Sequence, residues 1–172
     1  LHNGTIWRWN RLLAGFDDDG APHLRIEQRV MPAGPSVIDM LANAAFFYGA
    51  VAELAKLPVA ELLPFAKARA NFYAAARHGM GARLTWLDGR DYAARDLLAQ
   101  LAAMAREGLE AQGVSPALVD RYLDIIDLRI ASGTNGASWQ LAHFARHGDV
   151  FRLTADYLEH QRSGMPVHEW TL

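Results

Sequence analysis

The chain has 172 residues, 51% of them hydrophobic, which is enough to bury one sizeable core and predicts a single domain over residues 1–172. Its 17 Lys and Arg residues and 19 Asp and Glu residues give a net charge of -2, so we expect neither a nucleic-acid partner nor an anionic membrane surface. It has no cysteine, which excludes disulfides and thiolate metal sites and is compatible with a cytoplasmic location.

The apolar stretches of the sequence are interrupted by polar and charged residues. The most apolar stretch, residues 44–55, contains Glu53 and follows Asn43, so we expect no segment long enough to span a bilayer, and no signal peptide is visible. The chain begins LHNG without an initiator Met and passes at once into an aromatic and basic run. We therefore expect a fragment of a longer protein.

The first 29 residues of the chain predict an antiparallel hairpin. Residues 5–11 (TIWRWNR) are rich in β-favouring types and predict a strand. Residues 17–22 (DDDGAP) have turn composition, and residues 23–29 (HLRIEQR) alternate as a second strand. The two strands would be joined by a long loop.

The rest of the chain is predicted to be mainly helical. Ser36 and Asp39 resemble a capping box that opens a helix ending near Leu57. Apolar residues at three- and four-residue spacing predict further helices at 59–77, 93–112, 116–131, 137–146 and 150–161, and a short strand is expected at 82–87. A helical majority with a few antiparallel strands is an α+β fold.

The strand at residues 23–29 has one apolar face and one charged face. Successive side chains of a strand point to opposite sides, so Arg25, Glu27 and Arg29 share one face and Leu24 and Ile26 the other. Glu27 could hold a hard divalent cation while the guanidinium groups bind phosphate oxygens. A solvated face with weak ion pairs is the alternative, and spacing alone favours it. In the binding hypothesis the charged face opens into a groove and Leu24 and Ile26 pack beneath helices.

The predicted partner strand adds to the binding hypothesis. Arg8 and Arg11 lie among Trp7 and Trp9, a combination that suits a nucleotide base and its phosphates. Aromatic packing under the edge of a core remains the alternative.

Two further patterns have a functional and a structural interpretation. His143 and His147 have the four-residue helical spacing of a zinc chelate, but no nearby Asp, Glu or third His is evident, so a surface pair is favoured. Residues 133–137 (GTNGA) could cradle an anion with backbone N–H groups, although a tight turn between helices is commoner.

Four segments, in order, resemble the glutamate-cysteine ligase family, whose members are carboxylate-amine ligases with a glutamine-synthetase-like fold. They are residues 4–11 (GTIWRWNR), 24–29 (LRIEQR), 71–79 (NFYAAARHG) and 133–140 (GTNGASWQ). No single segment is specific, but their succession covers nearly the whole chain. One departure is Leu12, which stands where many family members have a proline.

The resemblance implies both an activity and a set of site residues. Enzymes of this family use ATP to convert a carboxylate into an acyl phosphate that an amine then captures, as in glutathione biosynthesis. On this basis Glu27 would be the magnesium ligand, Arg29 and Arg11 would be catalytic by stabilising the transferring phosphoryl group, and Arg8 and Arg25 would join them in holding ATP. The substrates would be a small-molecule acid and an amine.

Family members use several carboxylates for their metals, on strands that would lie upstream of residue 1. The chain would then be the C-terminal portion of a ligase, inactive by itself, and the cut edge of its sheet would invite a homo-oligomer. The alternative is a non-catalytic binding or regulatory module that keeps the ligase-like scaffold. A purely structural helical interaction domain is a third interpretation, and it makes no use of the charges of the hairpin.

Overall fold

A computed structural model describes residues 10–31 and 33–172. The chain divides into two compact units, residues 1–34 and residues 35–172, and each is described by itself. We call them the hairpin unit and the helical unit. The prediction of a single domain stays a prediction.

The described part of the hairpin unit is a two-stranded antiparallel ribbon. Strand β1 (Asn10–Phe16) pairs with strand β2 (Pro22–Gln28). The connection at residues 17–21 closes through the Asp17 N–H, which donates to the Ala21 carbonyl, and Gly20 adopts the positive φ of 84° that favours glycine. The hairpin prediction is confirmed, but its loop is shorter than predicted because β1 continues to Phe16. The predicted strand residues 5–9 lie outside the described residues.

The helical unit contains seven helices and a small second hairpin among its described residues. The helices are α1 (Val37–Leu54), α2 (Val59–Leu62), α3 (Phe65–His78), α4 (Ala94–Ala111), α5 (Pro116–Ser132), α6 (Gly136–His147) and α7 (Val150–Ser163). Short 3-10 helices occupy Gly79–Gly81 and Val167–Glu169, and strands β3 (Arg83–Thr85) and β4 (Asp91–Ala93) pair antiparallel. The α+β class is therefore confirmed.

Local sequence explains where most of these helices begin and end. The Ser36 side chain accepts a hydrogen bond from the Asp39 N–H at the start of α1, as its spacing predicts. The predicted helix at 59–77 is instead two helices, α2 and α3. Pro64 separates them, because it has no N–H to donate to a helical hydrogen bond. Helices α5, α6 and α7 all end at glycines with positive φ.

Helices α1, α4 and α5 surround the main hydrophobic core. Its buried residues are Ala42, Ala50, Ala102, Ala105, Leu109, Val119, Leu123, Ile125, Ile126 and Ile130. Helices α1 and α4 approach closely at Gly49 and Gly108, since a Cβ on Gly49 would collide with the Ala105 carbonyl and one on Gly108 with the Gly49 carbonyl. Small residues at this crossing decide how near the two backbones lie.

A second buried cluster joins α6, α7 and the C-terminal segment. Trp139, Val167 and Trp170 are its buried members, with Tyr157 packed against them. The Trp139 indole N–H donates to the Thr171 carbonyl at 2.9 Å, so the C-terminal segment is held to α6 by a polar as well as an apolar contact.

Helix α1 corrects the expectation about membrane segments. Residues 37–54 are long and apolar enough to cross a bilayer, with a mean hydropathy of 1.4 and 22% of the window buried. The window contains Asp39 and Glu53, but two acidic residues do not lower its mean hydropathy enough to exclude a span. Core helices of water-soluble proteins meet the same criterion, and α1 packs on α4 and α5 through buried Asp39, Ala42, Gly49 and Ala50.

Candidate functional site: the charged face of the hairpin

The predicted site residues Arg11, Glu27 and Arg29 form one connected group. Arg11 Nη2 lies 2.8 Å from Glu27 Oε2, and Arg29 Nη2 donates to the same oxygen at 3.0 Å. Residue alternation places Glu27 and Arg29 on one face of β2 and its continuation, and the register places Arg11 directly opposite Glu27. We call these three residues the charged triad.

The triad is accessible to a ligand and electrostatically polarised. The Glu27 side chain is 38% exposed and that of Arg11 is 48% exposed. The hydrogen bond from Arg29, followed by the charge of Arg11, lowers the pKa of the Glu27 carboxyl group below its ordinary value. Glu27 is thus held as a carboxylate, the form that a hard cation requires.

One of the two arginines that bind Glu27 differs from the one expected from strand alternation. That pattern placed Glu27 between Arg25 and Arg29, whereas the cross-strand neighbour Arg11 supplies the second guanidinium group. Arg25 is exposed, lies opposite Leu13, and forms no ion pair among the described residues. Arg8 lies outside the described residues, as do Trp7 and Trp9.

The opposite face of the hairpin is apolar and exposed. Leu12, Phe16, Leu24 and Ile26 all project from this face and are 67–73% exposed. The expectation that Leu24 and Ile26 pack beneath helices concerns a contact between the hairpin unit and the helical unit, and it stays a prediction. Strand alternation separated the two faces correctly, but a period of two says nothing about which face is covered.

The charged triad could supply only part of the coordination shell of a metal ion. Oε2 of Glu27 accepts from both arginines, and no hydrogen bond within the described residues engages Oε1. Residues 10–31 and 33–172 contain no group of three or more His, Cys, Asp or Glu side chains able to hold a metal ion. Magnesium commonly takes one or two protein carboxylates and completes its shell with water and phosphate oxygens, and Glu27 could supply one such ligand.

A second polar cluster, on α6 and α7, was not anticipated. His143 is fully buried, and its Nε2 lies 2.8 Å from Asp156 Oδ2, so the prediction of a surface histidine pair is wrong. The His143 hydrogen bond, and then Arg152, lower the pKa of the Asp156 carboxyl group. The His143 and His147 rings are 4.6 Å apart between centroids. Asp156 is 13 residues from His143 on another helix, so helical spacing gave no signal for it.

A third polar cluster lies in the core around Asp39. Its Oδ2 accepts from the Ser36 hydroxyl at 2.8 Å and from the Val167 N–H at 3.0 Å, and its Oδ1 lies 3.8 Å from Arg129 Nη1. Arg129 also donates to the Asn43 side-chain oxygen at 2.9 Å. Burial lowers the pKa of Arg129, an effect that the Asp39 charge opposes. Capping explained Asp39 only in part, because the same carboxylate anchors the C-terminal segment.

The segment at residues 133–137 is a turn whose amide groups are used locally. Gly133 has a φ of 73° and ends α5, and Asn135 and Ser138 cap α6 reciprocally. The Thr134 N–H donates to the Ser132 hydroxyl. With these donors engaged, the structure agrees with the turn interpretation and gives no support to an anion cradle.

Comparison of the chain with protein-family models, with curated proteins and with solved structures finds no match.

Proposed function

We propose that this chain is the C-terminal portion of an ATP- and magnesium-dependent carboxylate-amine ligase of the glutamate-cysteine ligase type, with a glutamine-synthetase-like fold and a cytoplasmic location. The observation that carries the proposal is the charged triad: a carboxylate bound by two arginines on one accessible face of a hairpin. The succession of the four ligase-like segments in the sequence supports it independently.

The triad has the chemical groups that phosphoryl transfer needs. Bound ATP and magnesium would supply the phosphoryl group and part of the charge neutralisation. Glu27 would contribute one carboxylate oxygen to the metal, while Arg11 and Arg29 bind phosphate oxygens through planar guanidinium groups. Such transfers depend mainly on positioning and on stabilising the charge that develops, which is the role proposed for these two arginines.

The same proposal assigns roles to Arg25 and Arg8 and defines the molecular partners. Arg25 projects from the same face as Glu27 and would extend the phosphate-binding surface, as would Arg8. The partners would be a small-molecule acid and an amine, joined through an acyl phosphate. The outer edges of β1 and β2 have no strand partner among the described residues, and pairing of a second copy there is part of the proposal.

The test uses a longer chain that carries the upstream part of the ligase. ADP release would be measured with an acid, an amine and magnesium, for the parent and for Glu27→Gln. We expect Glu27→Gln to lower turnover by orders of magnitude, because it removes the charge the metal needs while keeping the size of the side chain. Arg29→Lys keeps the charge but loses the planar fork, and should lower turnover less.

Two controls make this result interpretable. Asp18→Asn removes one negative charge from the same hairpin, and Asp18 has no hydrogen bond or ion pair among the described residues, so its turnover should match the parent. Circular dichroism should show the same fold for all variants. Equal turnover for the parent and Glu27→Gln would contradict the ligase proposal and favour the binding or regulatory module. The 172-residue chain alone should release no ADP.

A further inference from the structure

Two imidazole nitrogens of helix α6 are buried without a hydrogen-bond partner. They are Nδ1 of His143 and Nε2 of His147, and neither has a partner among the residues that the structure describes. The two rings lie four residues apart on one helix, and their centroids are 4.6 Å apart. Because buried polar atoms ordinarily find a partner, two unpartnered nitrogens on neighbouring rings indicate a site for a ligand that both could bind.

Asp156 on α7 determines which nitrogen of His143 is free. Its Oδ2 lies 2.8 Å from His143 Nε2, so the neutral ring donates its proton there and keeps its lone pair on Nδ1. A carboxylate that binds the second ring nitrogen commonly accompanies a metal-binding histidine, since it orients the ring and makes its lone pair more basic. The His143 side chain is also only 1% exposed, so packing holds the ring in this position.

His147 has the properties of a second ligand. Burial, and then the charge of Arg152, lower the pKa of His147 below its ordinary 6.5, so its ring is neutral at pH 7.5 and has a lone pair to give. Histidines four residues apart on a helix can bind one zinc ion. Two imidazoles that share a zinc ion have centroids about 5 Å apart, because each zinc–nitrogen bond is about 2.0–2.1 Å long. The observed separation of 4.6 Å therefore requires little movement.

The charges around the pair act in both directions on a cation. Arg152 and Arg146 would repel it, whereas Asp156 would attract it. The Arg152 side chain is 56% exposed, so solvent screens its charge. Residues 10–31 and 33–172 contain no group of three or more His, Cys, Asp or Glu side chains able to hold a metal ion. Within this part of the chain the two imidazoles would therefore be the only protein ligands, and water would complete the shell.

We propose that His143 and His147 bind a divalent transition-metal ion of the zinc and copper class, with Asp156 as the positioning residue. Imidazole nitrogen suits these ions, whereas magnesium prefers oxygen ligands. The inference is independent of the proposed function, because all three residues belong to the helical unit and none belongs to the charged triad.

The experiment titrates zinc chloride into the tag-free 172-residue chain at pH 7.5 and measures the dissociation constant by calorimetry. We expect the wild type to bind one zinc ion per chain. His147→Gln should weaken binding about tenfold or more, because it removes one of two chelating ligands. His147 is replaced rather than His143, whose burial makes it part of the packing of α6 on α7. His78→Gln removes an exposed histidine of α3 and should leave the affinity unchanged.

Two charge variants of α7 separate a metal site from damage to the fold. Asp156→Asn should weaken zinc binding by about tenfold, the usual effect of losing a carboxylate behind a ligating histidine. Glu159→Gln makes the same change in charge at an exposed position of α7 and should match the wild type. Arg152→Gln removes a repelling charge and should tighten binding about two- to fivefold, a gain that a disturbed fold would not produce.

Electron paramagnetic resonance of the copper-loaded chain identifies the ligands directly. Two imidazole nitrogens should couple to the copper ion in the wild type and one in His147→Gln. An absence of zinc binding by the wild type would overturn the proposal, and so would equal zinc affinities for the wild type and His147→Gln. Equal affinities for Asp156→Asn and Glu159→Gln would overturn the role assigned to Asp156.

Discussion

At the scale of single residues, the ion-pair partners of Glu27 depend on the register of the hairpin as well as on strand alternation. Alternation placed Glu27 and Arg29 on one face of β2 and its continuation, but Arg11 reaches Glu27 because these residues face each other across the ladder. A shift of the register by one residue would place Arg11 on the apolar side. The sequence could therefore name the members of the triad but not their pairing.

Asp39 allows a test of the buried polar network. Its side chain is fully buried and faces Arg129, whose side chain is only 16% exposed. We expect Asp39→Ala to lower the free energy of unfolding by about 3–5 kcal/mol, because it leaves the Val167 N–H without its acceptor and removes the negative charge 3.8 Å from the largely buried Arg129. Urea denaturation monitored by circular dichroism measures the loss.

The matched control for this prediction is Glu107→Ala. Glu107 is exposed on α4 and has no hydrogen bond or ion pair among the described residues, so its replacement should change stability by about 0.5 kcal/mol or less. A loss below about 1 kcal/mol for Asp39→Ala would show that this network contributes little to the fold.

At the scale of elements, the crossing of α1 and α4 depends on two glycines. We expect Gly49→Ala to destabilise the protein by about 2 kcal/mol or more, since the new methyl group would overlap the Ala105 carbonyl and force the helices apart. In an exposed helix the same substitution would stabilise by about 0.5–1 kcal/mol. The sign of the change, measured by thermal unfolding, therefore reports the close approach.

Gly81→Ala is the control for the helix crossing. Nothing lies within 4 Å of the position its Cβ would occupy, and its φ is not positive, so we expect little change. A neutral or stabilising Gly49→Ala would mean that α1 and α4 are farther apart than described.

The packing of α6 against α7 should weaken in acid. Burial, and then the charge of Arg152, lower the pKa of His147 below its ordinary 6.5. As the pH falls through 6.5, the unfolded chain binds a proton that the folded chain resists, so stability is lost. Asp156, whose pKa is also lowered, contributes stability above about 3.8 that is lost at still lower pH.

We therefore expect the melting temperature to fall between pH 7.5 and pH 5, and His147→Gln to reduce that fall. His78→Gln, which changes an exposed histidine at the end of α3, should leave the fall unchanged. The two variants and the wild type would be compared by thermal unfolding at each pH. An identical pH dependence for His147→Gln and the wild type would exclude His147 as a source of the effect.

At the scale of the whole molecule, the two compact units differ in what holds each together. The helical unit has its own hydrophobic core and the buried Asp39 network, whereas the described hairpin has an exposed apolar face. We expect residues 35–172 to unfold cooperatively when expressed alone. A peptide of residues 10–31 should be largely unstructured, since an isolated two-stranded hairpin is at best marginally stable in water.

Circular dichroism and urea titration of the two pieces test this prediction. A non-cooperative transition for residues 35–172 would contradict it. A stable hairpin in the peptide would show that cross-strand pairs such as Arg11 with Glu27 contribute more than exposed ion pairs usually do.

Features that depend on near neighbours along the chain follow directly from the amino-acid sequence. Strand alternation, the Ser36 cap of α1 and the glycines that end α5 and α6 are set within a few residues, and they were sufficient to predict the α+β class and the two faces of β2. The pairing of Glu27 with Arg29 belongs here too, because these residues are only two apart, whereas Arg11 joins them through the register of the two strands.

Contacts between side chains that are distant in the sequence become visible only in the folded protein. Asp39 binds the Val167 N–H across 128 residues, and Arg129 reaches Asn43 across 86 residues. His143 finds Asp156 because α6 and α7 pack side by side. Helix and strand periods describe the faces of one element, whereas these contacts depend on how separate elements pack, which is determined by the shape and burial of the whole core.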